Sequence, residues 1–233
     1  VSLMTANNET GVMQPVEQLA STLRAVGYRG PIVSDFTQAL GKTHISLEEL
    51  FASGVTAVSV SGHKVGAPAG IGALVINEAR TDICFQVESQ IKGGAQEYGF
   101  RGGTENLFGA LAWGEVCRAT LETLQSDITM KRELRELLWE ELRRAVPGVE
   151  RLTLREQGGE ERTLCNTLLV RFRGCRADDL VVALDLEGVA ASSGSACASG
   201  KQSVSHVLTA MGYELQDARE FVRFSLDWDT TAM

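Results

Sequence analysis

Ser61-Gly62-His63-Lys64 follows a short apolar run from Val55 to Val60, and Asp35 follows another at Ile32-Val33. Such runs read as buried strands, and in open α/β sheets ligands bind beyond the carboxyl ends of the strands. A lysine amine can condense with an aldehyde. A carboxylate on the neighbouring strand end can keep a ring nitrogen protonated. These are two requirements of pyridoxal phosphate (PLP), whose ring drains electrons from a substrate carbanion. Gln38 lies one turn beyond Asp35. Ser61 and His63 add hydroxyl and imidazole donors of the kind a phosphate takes at a strand–turn junction. Taken alone, Lys64 and Asp35 also fit a surface lysine and a helix-capping carboxylate, and His63 also fits a core imidazole satisfied by backbone.

Two further residues could do chemistry. Cys197 lies within Ser192–Gly200, nine small residues that include two glycines. Such a stretch has little side chain to pack and is expected to move. A structural cysteine usually sits among large apolar neighbours, so Cys197 reads as a nucleophile, with an incidental loop thiol as the alternative. Cys84, Cys117, Cys165 and Cys175 fall in or beside expected core elements or in turns and read as inert. Arg223 is flanked by Val222 and Phe224, where an unpaired guanidinium would be costly. A bidentate carboxylate ligand or a structural acidic partner would satisfy it.

The elements that must position these residues follow from periodicity. Pro15 opens a helical pattern with Val16, Leu19, Ala20, Leu23 and Val26 on one face, stopped by Gly27. Strands are expected at Ile32–Asp35, Val55–Val60 and Ile71–Ile76, with a helical turn at 47–51. From Thr104, read as an N-cap, one helix carries Leu107, Ala110, Leu111 and Val116. A second, charged helix is expected from Met130 to Ala145, ended by Pro147-Gly148. Beyond lie strand 167–172, helix 177–186, strand 189–192, helix 203–211 and strand 221–226. The pattern predicts an α/β sheet covered on both faces in residues 1–126 and a smaller α/β unit in 127–233.

Composition narrows the classes. The 233 residues are 44% hydrophobic and 22% charged, and a chain of this length buries roughly 70% of its unfolded surface without cross-links. Thirty acidic against twenty-two basic side chains give a net charge of −8, which argues against nucleic acid or an anionic membrane as partner. No apolar run nears the ~18 residues of a membrane span. Five scattered cysteines without a CxxC argue against a disulfide scaffold or zinc module and for a reducing, cytoplasmic setting. The opening Val1-Ser-Leu-Met is strand-like and reads as the interior of a domain, so a fragment is expected.

Six segments then occur in one order: Asn7-Asn8-Glu9-Thr10-Gly11, Asp35-Phe-Thr-Gln38, Ser61-Gly62-His63-Lys64, Arg101-Gly102-Gly103-Thr104-Glu105-Asn106, Ser192-Ser-Gly-Ser-Ala-Cys197 and Val222-Arg223-Phe-Ser-Leu226. Over nearly its whole length the chain thereby resembles the cysteine desulfurases, in the class V aminotransferase branch of fold-type I PLP enzymes. The resemblance implies a PLP-dependent transferase-like α/β fold, with an incomplete large-domain sheet in 1–126 and a small C-terminal domain in 127–233. It implies Lys64 as the lysine that binds PLP and shuttles the α-proton, Asp35 as partner of the ring nitrogen and Gln38 of the ring hydroxyl. Ser61 and His63 are implied as phosphate ligands, Asn8 and Arg223 as substrate-carboxylate contacts with Asn8 also beside the cofactor. Thr104 resembles the residue that reaches the cofactor phosphate of the partner subunit, which implies a homodimer. Cys197 is implied as the nucleophile that takes sulfur from L-cysteine, leaving alanine and a persulfide for an acceptor or iron–sulfur scaffold protein. No resident metal is implied, with Cys197 at most a transient iron–sulfur ligand. Two alternatives share the resemblance: a selenocysteine lyase or cysteine-sulfinate desulfinase, and an inactive dimerisation or acceptor-binding module. Family features expected before Asn7, a glycine-rich phosphate cradle and a ring-stacking histidine, are not in this sequence. Asp227 stands where the family has glycine, Phe221 where it has a small residue, and Ala67-Pro68-Ala69-Gly70 lacks a frequent lysine.

Overall fold

The computed structural model describes residues 1–78, 87–154, 161–194, 204–227 and 229–231. These form two units: Val1–Thr5 with Gln14–Leu124, and Ala6–Met13 with Gln125–Met233. A single cut after residue 126 would miss the short segment 6–13, which groups with the C-terminal residues.

In the first unit, β1 (Ser2–Met4) is followed by α1 (Val16–Ala25), β2 (Val33–Asp35), α2 (Leu47–Ser53), β3 (Ala57–Ser61) and β4 (Gly72–Ile76). The sheet runs β1-β2-β3-β4, parallel as far as β3, with β4 antiparallel. Its core contains Ile32, Val55, Ala57 and Val58 from the strand regions, with Val16 and Ala20 of α1 and Leu50 of α2 also buried. Ser46 caps α2, its hydroxyl accepting from Glu49 N at 3.2 Å. Gly54 ends that helix at φ 113°, a left-handed conformation that glycine adopts without penalty. Arg24 clips the neighbouring loops together by donating to the carbonyls of Tyr28, Gly30 and Gly54.

One helix, α3 (Leu107–Ala145), takes the place of the two expected. No proline or glycine lies between Gly114 and Pro147, so nothing in the covalent chain stops it. Arg118 braces its exposed face to Glu115 and Glu122, and Arg143 to Glu140. Its cap is Asn106, not Thr104: Asn106 Oδ1 accepts from Gly109 N at 3.0 Å, the reach of an N-cap to the third helical residue.

The second unit is built from β5 (Glu150–Arg151), β6 (Thr167–Arg171), α4 (Ala177–Leu186), β7 (Ser192–Ser193), α5 (His206–Ala210) and β8 (Phe221–Ser225). Its antiparallel order is β5-β6-β8-β7. Strand alternation divides its apolar residues between two faces. Leu168, Val170, Val222 and Phe224 form one cluster, against which Leu138, Trp139 and Leu142 of α3 and Leu180 and Leu184 of α4 pack. Leu169 and Phe221 join Val12, Leu152, Leu208 and Ala218 in the other. The expected strand 189–192 is the two-residue β7, and within the expected helix 203–211 the helical span is α5. Strand β5 was not anticipated, because two charged residues carry no strand periodicity.

Candidate active site

In the first unit the parallel strands β2 and β3 end side by side, with Asp35 in register with Ser59. Asp35 is exposed; its Oδ1 accepts from Thr37 N at 2.8 Å while its main chain stays tied to the sheet, the carbonyl accepting from Thr5 N. Gln38 follows, its Oε1 accepting weakly from Lys42 Nζ at 3.5 Å. Two residues beyond Ser59, Ser61 closes β3 and a short 3-10 turn, Gly62–Val65, carries His63 and Lys64 outward. Gly62 is buried in that turn, and a Cβ there would come within 2.8 Å of Ile71 Cγ2 and 3.3 Å of its carbonyl oxygen. The turn is this tight because its residue two before Lys64 has no side chain.

Ser61 Oγ and His63 Nδ1 lie 2.8 Å apart and share one hydrogen. With the proton on the serine, His63 keeps an outward Nε2–H; with it on the imidazole, the serine O–H is released. In either arrangement the pair retains a donor for an anion. The Lys64 ammonium is exposed and makes no hydrogen bond or ion pair with the described residues. A carboxylate, an uncommitted amine and a hydroxyl–imidazole donor pair at adjacent strand ends have the chemistry that PLP takes.

Thr104 lies in an exposed loop that closes on itself. Arg101 Nη1 donates to the carbonyls of Gly103 and Thr104, each at 3.0 Å. Gly102 N donates to Ile91 O, and a Cβ on Gly102 would stand 2.5 Å from Gly93 N. The loop can approach Gly93 this closely only with glycine there.

In the second unit Asn8 and Arg223 meet, through the Asn8 backbone: Arg223 Nη1 donates to the Asn8 carbonyl. Arg223 shares its face of β8 with Phe221, which is fully buried and edge-on to Tyr213 at 4.9 Å between ring centroids. The bulky residue thus belongs to the core. Asp227 is exposed in the turn after β8, where its N–H donates to Thr230 Oγ1. Cys197, the expected nucleophile, lies outside the described residues, as does Cys84. Cys165 is buried, whereas Cys117 and Cys175 are exposed. Burial raises the pKa of the Cys117 thiol, which lowers its thiolate fraction.

Sequence reading missed Glu9 and Ser205. Glu9 is 4% exposed and accepts a hydrogen bond from Ser205 Oγ. A carboxylate in a polar turn gives no sign of burial, and only its place beside Asn8 could have drawn attention to it.

The sequence profile described as aminotransferase class-V matches residues 1–233. The chain is 38% identical over 231 residues to cysteine desulfurase 2 of Trichormus variabilis, covering 99% of this chain and 54% of that protein. It is 37% identical over 231 residues to cysteine desulfurase IscS of Serratia proteamaculans, covering 99% and 53%. Among solved structures, a NifS-like protein from Rickettsia africae superposes with a TM-score of 0.83 at 28% identity, over 99% of this chain and 57% of the other. The chain spans about half the length of the curated relatives it matches.

Proposed function

Because the chain belongs to the aminotransferase class-V family, whose members use PLP, we propose that it acts as a cysteine desulfurase, moving sulfur from L-cysteine to Cys197. The observation that carries this reading is the strand-end set of Lys64, Asp35 and the Ser61–His63 pair. Lys64 and Asp35 would hold PLP at its aldehyde carbon and ring nitrogen, Gln38 at its hydroxyl, and Ser61 and His63 at its phosphate. When bound, the cofactor supplies an electron sink for a carbanion at the substrate Cα.

The chain's own residues do the rest. Arg223 presents a guanidinium of five N–H donors, one of which is given to Asn8 O. This guanidinium is the group proposed to take the substrate carboxylate, assisted by Asn8. Lys64, as a free amine, moves the proton from Cα. The Cys197 sulfur then bonds to the substrate sulfur as the substrate Cβ–S bond breaks. Cβ takes the electron pair and a proton, balanced by the proton lost from the Cys197 thiol. The substrate leaves as alanine, and the transferred sulfur, oxidised to sulfane, remains on Cys197. An ordinary thiol pKa of about 8.5 leaves only a few per cent thiolate at neutral pH, so the attack depends on local activation.

The same reading makes the working unit a homodimer, in which Thr104 reaches the phosphate of the other subunit's cofactor, in a cytoplasmic setting with an acceptor or iron–sulfur scaffold protein downstream. Among the described residues no helix is long and apolar enough to cross a membrane. The test is stoichiometric. Mixed with L-cysteine in a first turnover, the PLP-loaded protein should yield one alanine per persulfide, with the persulfide mapped to Cys197 by peptide mass spectrometry. Alanine formation at an undiminished rate in Cys197→Ser would overturn the assignment.

A further inference from the structure

The segment that carries Cys197 starts beyond Gly194 and ends before Ser205. These two ends lie against each other: a Cβ on Gly194 would stand 3.7 Å from Ser205 Cβ. Each end is tied by a serine hydroxyl to a carboxylate. On the first side Ser193 Oγ donates to Asp178 Oδ1 at 2.8 Å, in the first turn of α4. On the other, Ser205 Oγ donates to Glu9 Oε2 and also accepts from Leu208 N at 3.1 Å, capping α5.

The Glu9 tie is the more telling one. Glu9 and Ser205 are both almost wholly buried, and a carboxylate is costly to bury without hydrogen bonds. The turn that presents Glu9 is itself braced, with Asn7 Oδ1 accepting from Glu9 N and Thr10 N at 2.9 and 3.0 Å. Arg223 grips the carbonyl of the intervening Asn8. On the other side Ser192, next to Ser193, is in register with Arg223 on β8. Both ends of the Cys197 segment are therefore referred to one point, the strand position that carries Arg223. Hydroxyl–carboxylate bonds are roughly twice as strong as neutral ones, which suits them to hold an anchor.

We infer that Glu9 and Asp178 are positioning residues for Cys197, fixing the two roots of its segment relative to Arg223. The inference rests on the reading of Cys197 as the sulfur acceptor. Cys197 stands three residues after Gly194 and eight before Ser205, so the Asp178 tie is the nearer along the chain and the Glu9 tie the more deeply buried.

The experiment uses the full-length, PLP-loaded protein with Glu9→Ala, Glu9→Gln and Asp178→Ala. Persulfide on Cys197 is followed by peptide mass spectrometry after a single addition of L-cysteine. In parallel, the cofactor-free protein is alkylated with iodoacetamide, and labelling of Cys197 is read against the exposed Cys117 of α3. Both alanine variants should slow persulfide loading by about 10- to 10²-fold, the upper figure being what a misplacement of about 1 Å can cost. Asp178→Ala should keep the KM for L-cysteine within about twofold, since no substrate contact is removed. The ratio of Cys197 to Cys117 alkylation should change about threefold once a root is released. Glu9→Gln, which keeps an acceptor for Ser205, should restore most of the loading. If Glu9→Ala does not fold, Asp178→Ala decides the matter from its half-buried position. Wild-type loading and alkylation in the carboxylate variants would overturn the inference. A wild-type protein that never acquires persulfide on Cys197 would instead overturn the reading beneath it.

Discussion

The two units hold their polar and charged side chains in opposite ways. In the first, Asp35, His63, Lys64 and Thr104 are exposed, and their positions are fixed by backbone: two parallel strand ends, a turn that excludes a Cβ and a loop pinned glycine to glycine. In the second, charged groups hold one another. Arg135 is 2% exposed and donates to Leu164 O, Glu136 and Glu161; Arg151 donates to the same two glutamates. Arg171 is likewise ringed by Glu150, Asp217 and Glu220. Side chains that a backbone scaffold presents are available to a ligand and contribute little to folding. Side chains that satisfy one another cannot be removed without leaving a buried charge. Chemistry and stability should therefore separate in the first unit and be coupled in the second.

The sharpest way to break that distinction is Lys64→Ala. The variant should lose the visible absorption band that the wild type gains with PLP, and its turnover should fall about 10²- to 10⁴-fold. Its urea midpoint should stay where it was, within about 0.5 kcal/mol of stability. A band retained in Lys64→Ala, or a protein that unfolds with it, would end the claim that this turn only presents its amine. Next in size is Arg223→Ala, for which the KM for L-cysteine should rise about 10²-fold while the absorption band survives. Because the same guanidinium holds the Asn8 carbonyl, this variant should also lose stability, by about 1–2 kcal/mol. Arg223→Lys should recover little, because an ammonium lacks the planar fork.

A smaller effect tests the coupling by pH. Burial pushes the Glu136 carboxyl up, but hydrogen bonds from Arg151 and Arg135, with their charges, outweigh it and leave the pKa below the ordinary 4.5. A lowered carboxylate pKa stabilises the fold above the unfolded value, and that contribution is lost as pH falls through the folded one. Burial works against the Arg151 charge, but Glu136 and Glu161 outweigh it and raise its pKa, so it stays charged throughout. Urea midpoints should therefore fall as pH drops below about 4.5. Glu136→Gln should lower the midpoint at pH 7 by the equivalent of about 1.5 kcal/mol, an ion-bond value reduced because the side chain is 44% exposed. It should also flatten the acid limb. An unchanged acid limb would show that the glutamate is not coupled to these arginines.

How far these arrangements could be read from sequence follows the same divide. Strand ends, tight turns and glycines are local, and Asp35, Ser61 and Lys64 stand at or just beyond the strand ends where periodicity places them. The expected strands 167–172 and 221–226 likewise lie where β6 and β8 run, although which of their residues face which cluster emerges only from the structure. The pairings that hold the second unit are long-range: Glu9 meets Ser205 across 196 positions and Arg223 meets Asn8 across 215. No local pattern encodes such a meeting, so Arg223 could be read only as needing a partner, and Glu9 not at all. The continuity of α3 is hidden in the sequence for a different reason. A change from an apolar to a charged face resembles a boundary, although a helix passes from one environment to another unless a proline or glycine interrupts it.

The smallest effect concerns where that helix begins. Threonine and asparagine both cap helices, and Thr104 and Asn106 stand two residues apart, so composition cannot choose between them. The geometry does: Asn106 Oδ1 takes the N–H of Gly109, whereas the described contacts of Thr104 run through its carbonyl to Arg101. Asn106→Ala should cost about 1 kcal/mol, the usual value of a lost N-cap, read as a lower urea midpoint. Thr104→Ala should cost no more than about 0.3 kcal/mol, since its carbonyl is untouched. If the hydroxyl of Thr104 serves a neighbouring subunit's phosphate, its loss should appear instead as weaker PLP retention at unchanged stability. The reverse ranking, with Thr104→Ala the more destabilising, would put the cap back at 104 and leave that hydroxyl occupied by the helix rather than offered to a ligand.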